Sequence, residues 1–513
     1  MRRFSAQGCG AALLAAPVLL ALTAGPAAAH AFGARYDLPL PLWLYVGGAG
    51  AAVALSFLVM ALFVSDSGDG KADRRLELST LPLLWLAVRP WSLGLLRLVS
   101  VALFLLTLAT GLFGSQSTTE NFAPTFVWVI WWVGLAFFQA LVGDVWSVAN
   151  PWAVLFTWAE ALWRRCGGGA RFGGGYSLPR RLGSWPAVVL FLGFAWLELV
   201  PEAGERPRDL AAAVLCYSAV TWGGMWLFGK RAWLYSGEAF TVVFGLLARF
   251  APLKGGAPAP GELSPQEVAA EPAGGPPRLA LRPYGVGLLT DRPLPPSLVF
   301  FVLTMLATVT FDGFSETPLW SGFLDWVAQS QLLRGTLLAL QGAGFDLLAT
   351  IKTLALLAFP LTFAAVFALF AWLTARAAGP GRSITVAAGS FVLTLVPIAI
   401  AYHLAHYLSY LLLAGQFMIP LASDPFGWGW DLFGGANYNL VLGVIGARAT
   451  WFCAVAFVLL GHIYAVYLGH VMALRLYGDS GAVLRSQIPL LVLMVGYTMV
   501  SLWILSQPIV ASP

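Results

Sequence analysis

The residues most able to do chemistry in this chain are its histidines. Only five occur in 513 residues, and four lie in two segments near the C-terminus. One segment reads Ala401-Tyr402-His403-Leu404-Ala405-His406-Tyr407; the other carries His462 and His470. Helical residues three apart differ by about 60° in direction and rise about 4.5 Å, so His403 and His406 can turn two imidazoles to one centre. Residues eight apart are separated by about 12 Å, too far for His462 and His470 to share an ion. The expectation is that His403, His406 and His462 meet and that His470 stands apart. A neutral imidazole ligates a metal without burying further charge, and three with an open position suit zinc, copper or iron. Such an ion would activate a water, and haem is a second cofactor these residues could hold. Two other roles stay open: hydrogen bonds between helices, and a proton path.

A second group of polar residues is Asp312, Glu316, Lys352 and Arg448, each at or near the end of an apolar run. Charges within a membrane span are costly unless paired, which makes Asp312 and Lys352 an expected ion pair or part of a polar cavity. Asp424 and Asp431 could add carboxylates to that cavity. His30 is the fifth histidine. If a leader is removed just before it, its free amino group and imidazole form a chelate that favours copper(II).

The elements that must position these groups are membrane helices. Hydrophobic residues make up 59% of the chain and charged residues 10%, against about 25% charged in ordinary globular proteins. A water-soluble core cannot hide that much apolar surface, so the bilayer is part of the solvent, and nucleic-acid binding, disorder and disulfide scaffolds are excluded. Apolar windows of spanning length fall near 40–64, 95–113, 125–143, 184–200, 210–228, 297–312, 345–375, 384–415, 448–474 and 488–507. The predicted fold is all-α, a polytopic bundle of about ten spans.

Arg2 and Arg3, the apolar Ala11–Ala24 and the small residues Pro26-Ala27-Ala28-Ala29 read as a signal peptide over 1–29, cleaved ahead of His30. Residues 30–513 then form one transmembrane domain with the mature N-terminus outside a bacterial inner membrane. The loops 65–97, 143–183, 229–296, 376–383 and 475–487 together carry 21 of the 29 Lys and Arg, whereas the opposite loops carry four. The positive-inside rule therefore places those five loops in the cytoplasm and the C-terminus in the periplasm. Trp146 to Trp163 reads as an amphipathic helix on the inner surface, and 251–296 as a flexible cytoplasmic linker. The outer stretch 416–440 is rich in aromatics and reads as interfacial belt. The four cysteines form no CxxC and suggest no disulfide framework.

The segment His30-Ala31-Phe32-Gly33-Ala34-Arg35-Tyr36-Asp37-Leu38-Pro39-Leu40-Pro41-Leu42-Trp43-Leu44-Tyr45, directly after a leader, resembles the start of a family of bacterial polytopic membrane proteins, some labelled fenitrothion hydrolase. The resemblance implies an inner-membrane enzyme that hydrolyses organophosphorus triesters, small apolar substrates that partition into lipid. It transfers no catalytic residue, and the HxH pattern of soluble metal-dependent phosphotriesterases is absent. A metal-hydroxide mechanism at the intramembrane histidines competes with copper or haem handling (transport, chaperone or redox work), and with a plain membrane scaffold.

Overall fold

The computed structural model describes residues 36–64, 76–78, 89–169, 172–200, 202–270 and 279–507. The leader and His30 lie outside them. The chain is an all-α polytopic bundle. Among the described residues, nine helices are long and apolar enough to cross a membrane: α1 Leu42–Phe63, α2 Pro90–Phe113, α3 Phe122–Leu141, α6 Pro207–Phe228, α8 Pro296–Ser315, α11 Leu347–Ala378, α12 Ile384–Ser423, α13 Ala447–Tyr477 and α14 Ser480–Ser506. Between them lie α4 Pro151–Arg165, α5 Trp185–Leu199, α7 Ala239–Ala248, α9 Pro318–Gln329 and α10 Gln331–Gly342. Proline opens α2, α4, α6, α8 and α9, where its missing N–H costs nothing. Asp346, Ser383 and Asp479 cap α11, the start of α12 and α14 through their side chains.

The tenth expected span is α5, whose 15 residues reach only about 22 Å against a hydrocarbon core of about 30 Å. It nonetheless connects the two ends of the bundle. At its start the Ser184 amide donates to Ser297 Oγ beside the start of α8 at 3.0 Å. Past its end, the Gly204 carbonyl accepts from Trp128 Nε1 at 3.0 Å. The turn Glu202–Glu205 completes the crossing before α6 begins at Pro207.

Two helices form the centre. In α8 and α12, 78% of the apolar window is buried by protein, against 17% in α1 and 22% in α2 and α11, whose outer faces remain for lipid. Close approach of α13 to α12 depends on Gly461: a Cβ there would stand 2.3 Å from Ala401 Cβ and 2.9 Å from the Pro397 carbonyl. That contact fixes the rotation of the neighbouring His462.

Two segments differ from expectation. Helix α4 does not lie wholly on the surface. Pro151, Trp152, Val154 and Phe156 are buried, and Trp152 Nε1 donates to Ser218 Oγ at 2.7 Å, halfway along α6. Its later turns emerge, and Glu160 pairs with Lys230 at 2.9 Å. In the segment 251–296, the described residues make defined contacts with neighbouring elements: the Tyr235 hydroxyl donates to the Ala259 carbonyl at 2.9 Å, and Arg249 Nη1 donates to the Pro260 carbonyl at 2.7 Å. Nine of the ten residues of α7, just before that segment, are buried within the bundle. Arg249 and Arg282 secure its C-terminal end. Arg282 Nη2 donates to the Ala248 carbonyl at 2.9 Å and to the Arg249 carbonyl at 3.0 Å, and Arg249 Nε donates to the Gly287 carbonyl at 2.7 Å. The strands Leu253–Lys254 and Ala280–Leu281 pair antiparallel, and Leu76–Glu77 adds a third strand.

Candidate functional site

Asp312 sits on the last turn but one of α8, and α12 brings His406 and Tyr407 against it. One oxygen, Asp312 Oδ2, stands 2.9 Å from His406 Nε2 and accepts from the Tyr407 hydroxyl at 2.6 Å. The pairing with Lys352 expected for Asp312 is replaced by these two partners. Lys352 lies half-buried near the start of α11. Glu316 is exposed at the C-cap of α8, and Arg448 is exposed on the first turn of α13.

His403, one turn before Tyr407, faces the other way. Its ring meets Trp132 and Phe137 of α3 edge-on at 5.8 and 5.5 Å, and Tyr407 at 4.7 Å. Its Nε2 is buried and has no hydrogen-bond partner. A cavity of about 40 Å³ opens beside it, with Glu198 of α5, Thr308 of α8 and Tyr407 also in its wall. That is room for two or three water molecules. Val133, whose backbone faces the imidazole, ends a π-helical stretch, Thr125–Gly134, a winding that often marks functional sites.

The remaining histidines occupy separate positions. His462 is buried on α13 and its Nδ1 donates to the Val458 carbonyl one turn back at 2.8 Å. Its Nε2 has no partner, and its ring lies 5.8 Å from Tyr497 of α14. His470 joins three helices: Nδ1 lies 2.9 Å from Gln487 Oε1 of α14 and Nε2 lies 2.8 Å from the Val64 carbonyl after α1. The structure thus brings His406 to Asp312, places His403 at the α3 side and His462 at the α14 side, and leaves His470 in a structural clamp. Among the described residues, no three His, Cys, Asp or Glu side chains converge as one metal-ion cage. The donors do not fit a single bound ion in this arrangement.

Two carboxylates were missed in the sequence. Glu198, near the end of α5, lines the His403 cavity. Glu238 is fully buried at the N-cap of α7, where it accepts from the Phe240 and Thr241 amides at 2.9 and 2.7 Å. The Tyr217 and Thr241 hydroxyls donate to it as well, and Asn150 Nδ2 stands 3.5 Å away. The available signal was the run Ala239–Ala248, too short to span and too apolar for a solvated loop, which is the mark of a re-entrant segment.

In the outer stretch, Asp424 accepts from the Trp428, Gly429 and Trp430 amides at 3.0, 2.6 and 3.1 Å, while Asp431 accepts from Ser423 Oγ at 2.7 Å. These carboxylates organise their own loop. The loop is tied to the turn between α2 and α3 by the Ser115 amide, which donates to the Phe426 carbonyl at 2.7 Å. No protein-family model, curated protein or solved structure matches the chain.

Proposed function

We propose that the chain is a membrane-embedded hydrolase of small apolar esters, working by acid–base chemistry at the His403 cavity, with organophosphorus triesters as the substrate class that the His30–Tyr45 resemblance implies. One observation carries this reading: an unpartnered, buried imidazole nitrogen faces a water-sized cavity whose wall also holds a carboxyl and a tyrosine. His403 Nε2 takes a proton from water as the oxygen bonds to phosphorus. The phosphorus–aryloxy bond then breaks, and the aryl oxide leaves with its electron pair. Glu198 is the group placed to exchange a proton on the opposite wall. Asp312 holds the Tyr407 hydroxyl and supplies negative charge near the imidazolium that forms. The bacterial inner membrane, with both termini periplasmic, is the location supported by the distribution of Lys and Arg.

A second reading, copper or haem handling, is favoured by two buried imidazoles with unpartnered Nε2 atoms, His403 and His462. Purified protein in lipid nanodiscs tests both. The first reading expects release of an aryl oxide from a neutral triester without stoichiometric metal, lost in His403→Gln. Bound copper or a haem spectrum with no turnover overturns it in favour of the second.

A further inference from the structure

On the far side of the ring layer next to His403 lies a much larger chamber. It holds about 590 Å³ and is walled by α2, α3, α5 and α6, with the short helix Trp146–Ala149 and the start of α4 and α7 at its floor. Its size falls within the range of small-molecule sites, about 300–1,000 Å³. Its wall is largely aromatic, with Trp128, Trp131, Trp146, Trp152, Phe194 and Phe240 among its lining. Two of its lining residues, Val189 at 67% and Val220 at 48% exposure, lie on open faces of α5 and α6, which a surrounding bilayer would cover.

Helices α3, α5 and α7 each line both spaces. Trp131, Phe194 and Phe240 face the chamber, whereas Trp132, Ala195, Glu198 and Val243 face the His403 cavity. Only a ring layer separates the two. Phe194 lies 4.8 Å from Trp132, 6.3 Å from Trp131 and 5.0 Å from Phe240, all edge-on. Edge-on and offset ring contacts are what such walls offer a ligand, and they favour a planar ring over a flexible alkyl chain.

We propose that this chamber binds a neutral, ring-bearing small molecule taken from the bilayer and holds it at the Phe194 layer, where its reacting centre meets water activated in the His403 cavity. The inference rests on the acid–base reading of that cavity. Among the described residues no charged side chain lines the chamber, which disfavours anionic and cationic ligands.

The test uses 4-nitrophenyl diphenyl phosphate with the full chain in nanodiscs, because its nitroaryl ring quenches nearby tryptophans on binding and its cleavage releases coloured nitrophenolate. Gly193 lines the chamber, and a Cβ added there meets nothing within 4 Å, so Gly193→Trp fills the space without a forced clash. Val220→Trp fills it from the opposite wall and guards against misfolding of the first variant. The expected result is saturable quenching in the wild type, weakened at least tenfold in both variants, with His403→Gln binding as wild type. Quenching that never saturates, or that is equal in wild type and filled variants, overturns the chamber. So does saturable quenching abolished by a brominated-acyl phospholipid, which would make the chamber a lipid seat. Saturable, variant-sensitive quenching without nitrophenolate release leaves the chamber standing and overturns the acid–base reading alone.

Discussion

His406 Nε2 stands 2.9 Å from Asp312 Oδ2, which joins the two innermost helices of the bundle through a half-buried acid–imidazole pair. The pair carries no net cost of an isolated charge, because the carboxylate is also bonded by Tyr407. It acts on the His403 cavity through Tyr407, whose side chain is the contact common to both. Asp312 is accordingly a positioning residue. Asp312→Asn should lower turnover of a neutral triester about tenfold to a hundredfold while KM changes little, and shift the pH profile. Loss confined to folded yield, with turnover per folded molecule unchanged, would assign the pair a structural role only.

His403 should matter more. Removing a general base typically costs about 10²–10⁴-fold in rate. His403→Gln keeps volume and a hydrogen-bonding end, so thermal stability should stay near wild type as activity falls. An active His403→Gln protein would move the site elsewhere.

Because His403, His406 and His462 face different neighbours, elemental analysis of the wild type should give well under one zinc, copper or iron per chain. Alanine at any of the three should leave that content unaltered. One equivalent of metal lost in each variant would show that the helices rotate to form a shared centre.

His470 belongs to the scaffold. His470→Ala removes partners from Gln487 and the Val64 carbonyl, both within the bundle. Leaving such groups unsatisfied costs about 2–4 kcal/mol in all, which should lower the unfolding temperature in detergent without changing KM. Glu238→Ala, which strips the N-cap from a wholly inserted helix, should be at least as damaging. Unfolding temperatures equal to wild type in both variants would contradict these placements.

Sidedness can be read with cysteines. Cys166 is exposed at the end of α4, and Gly335 on α10 has open space at its Cβ position. In intact cells an impermeant maleimide should label Gly335→Cys and spare Cys166, and the two should be labelled alike once the membrane is broken. Labelling of Cys166 in intact cells would invert the topology.

Spans were legible from sequence because a membrane helix satisfies its backbone locally, so each apolar window answers for itself. Even α5, too short by length alone, was visible as an apolar run. What the chain could not show locally was which helix faces meet. His403 and His406 differ by only about 60° on one helix, yet that rotation sends one imidazole to Trp132 and the other to Asp312. Glu198 and Glu238 are lone acids in apolar sequence, and nothing near them in the chain identifies their partners. Tyr217, Asn150 and Tyr407 come to these carboxylates, or into one cavity with them, from distant segments. Those meetings depend on packing between elements far apart in sequence, decided by close contacts such as Gly461 against Ala401. Composition and periodicity carry no record of such contacts, so the tertiary structure alone placed His403 at its cavity, with the ring-lined chamber beside it.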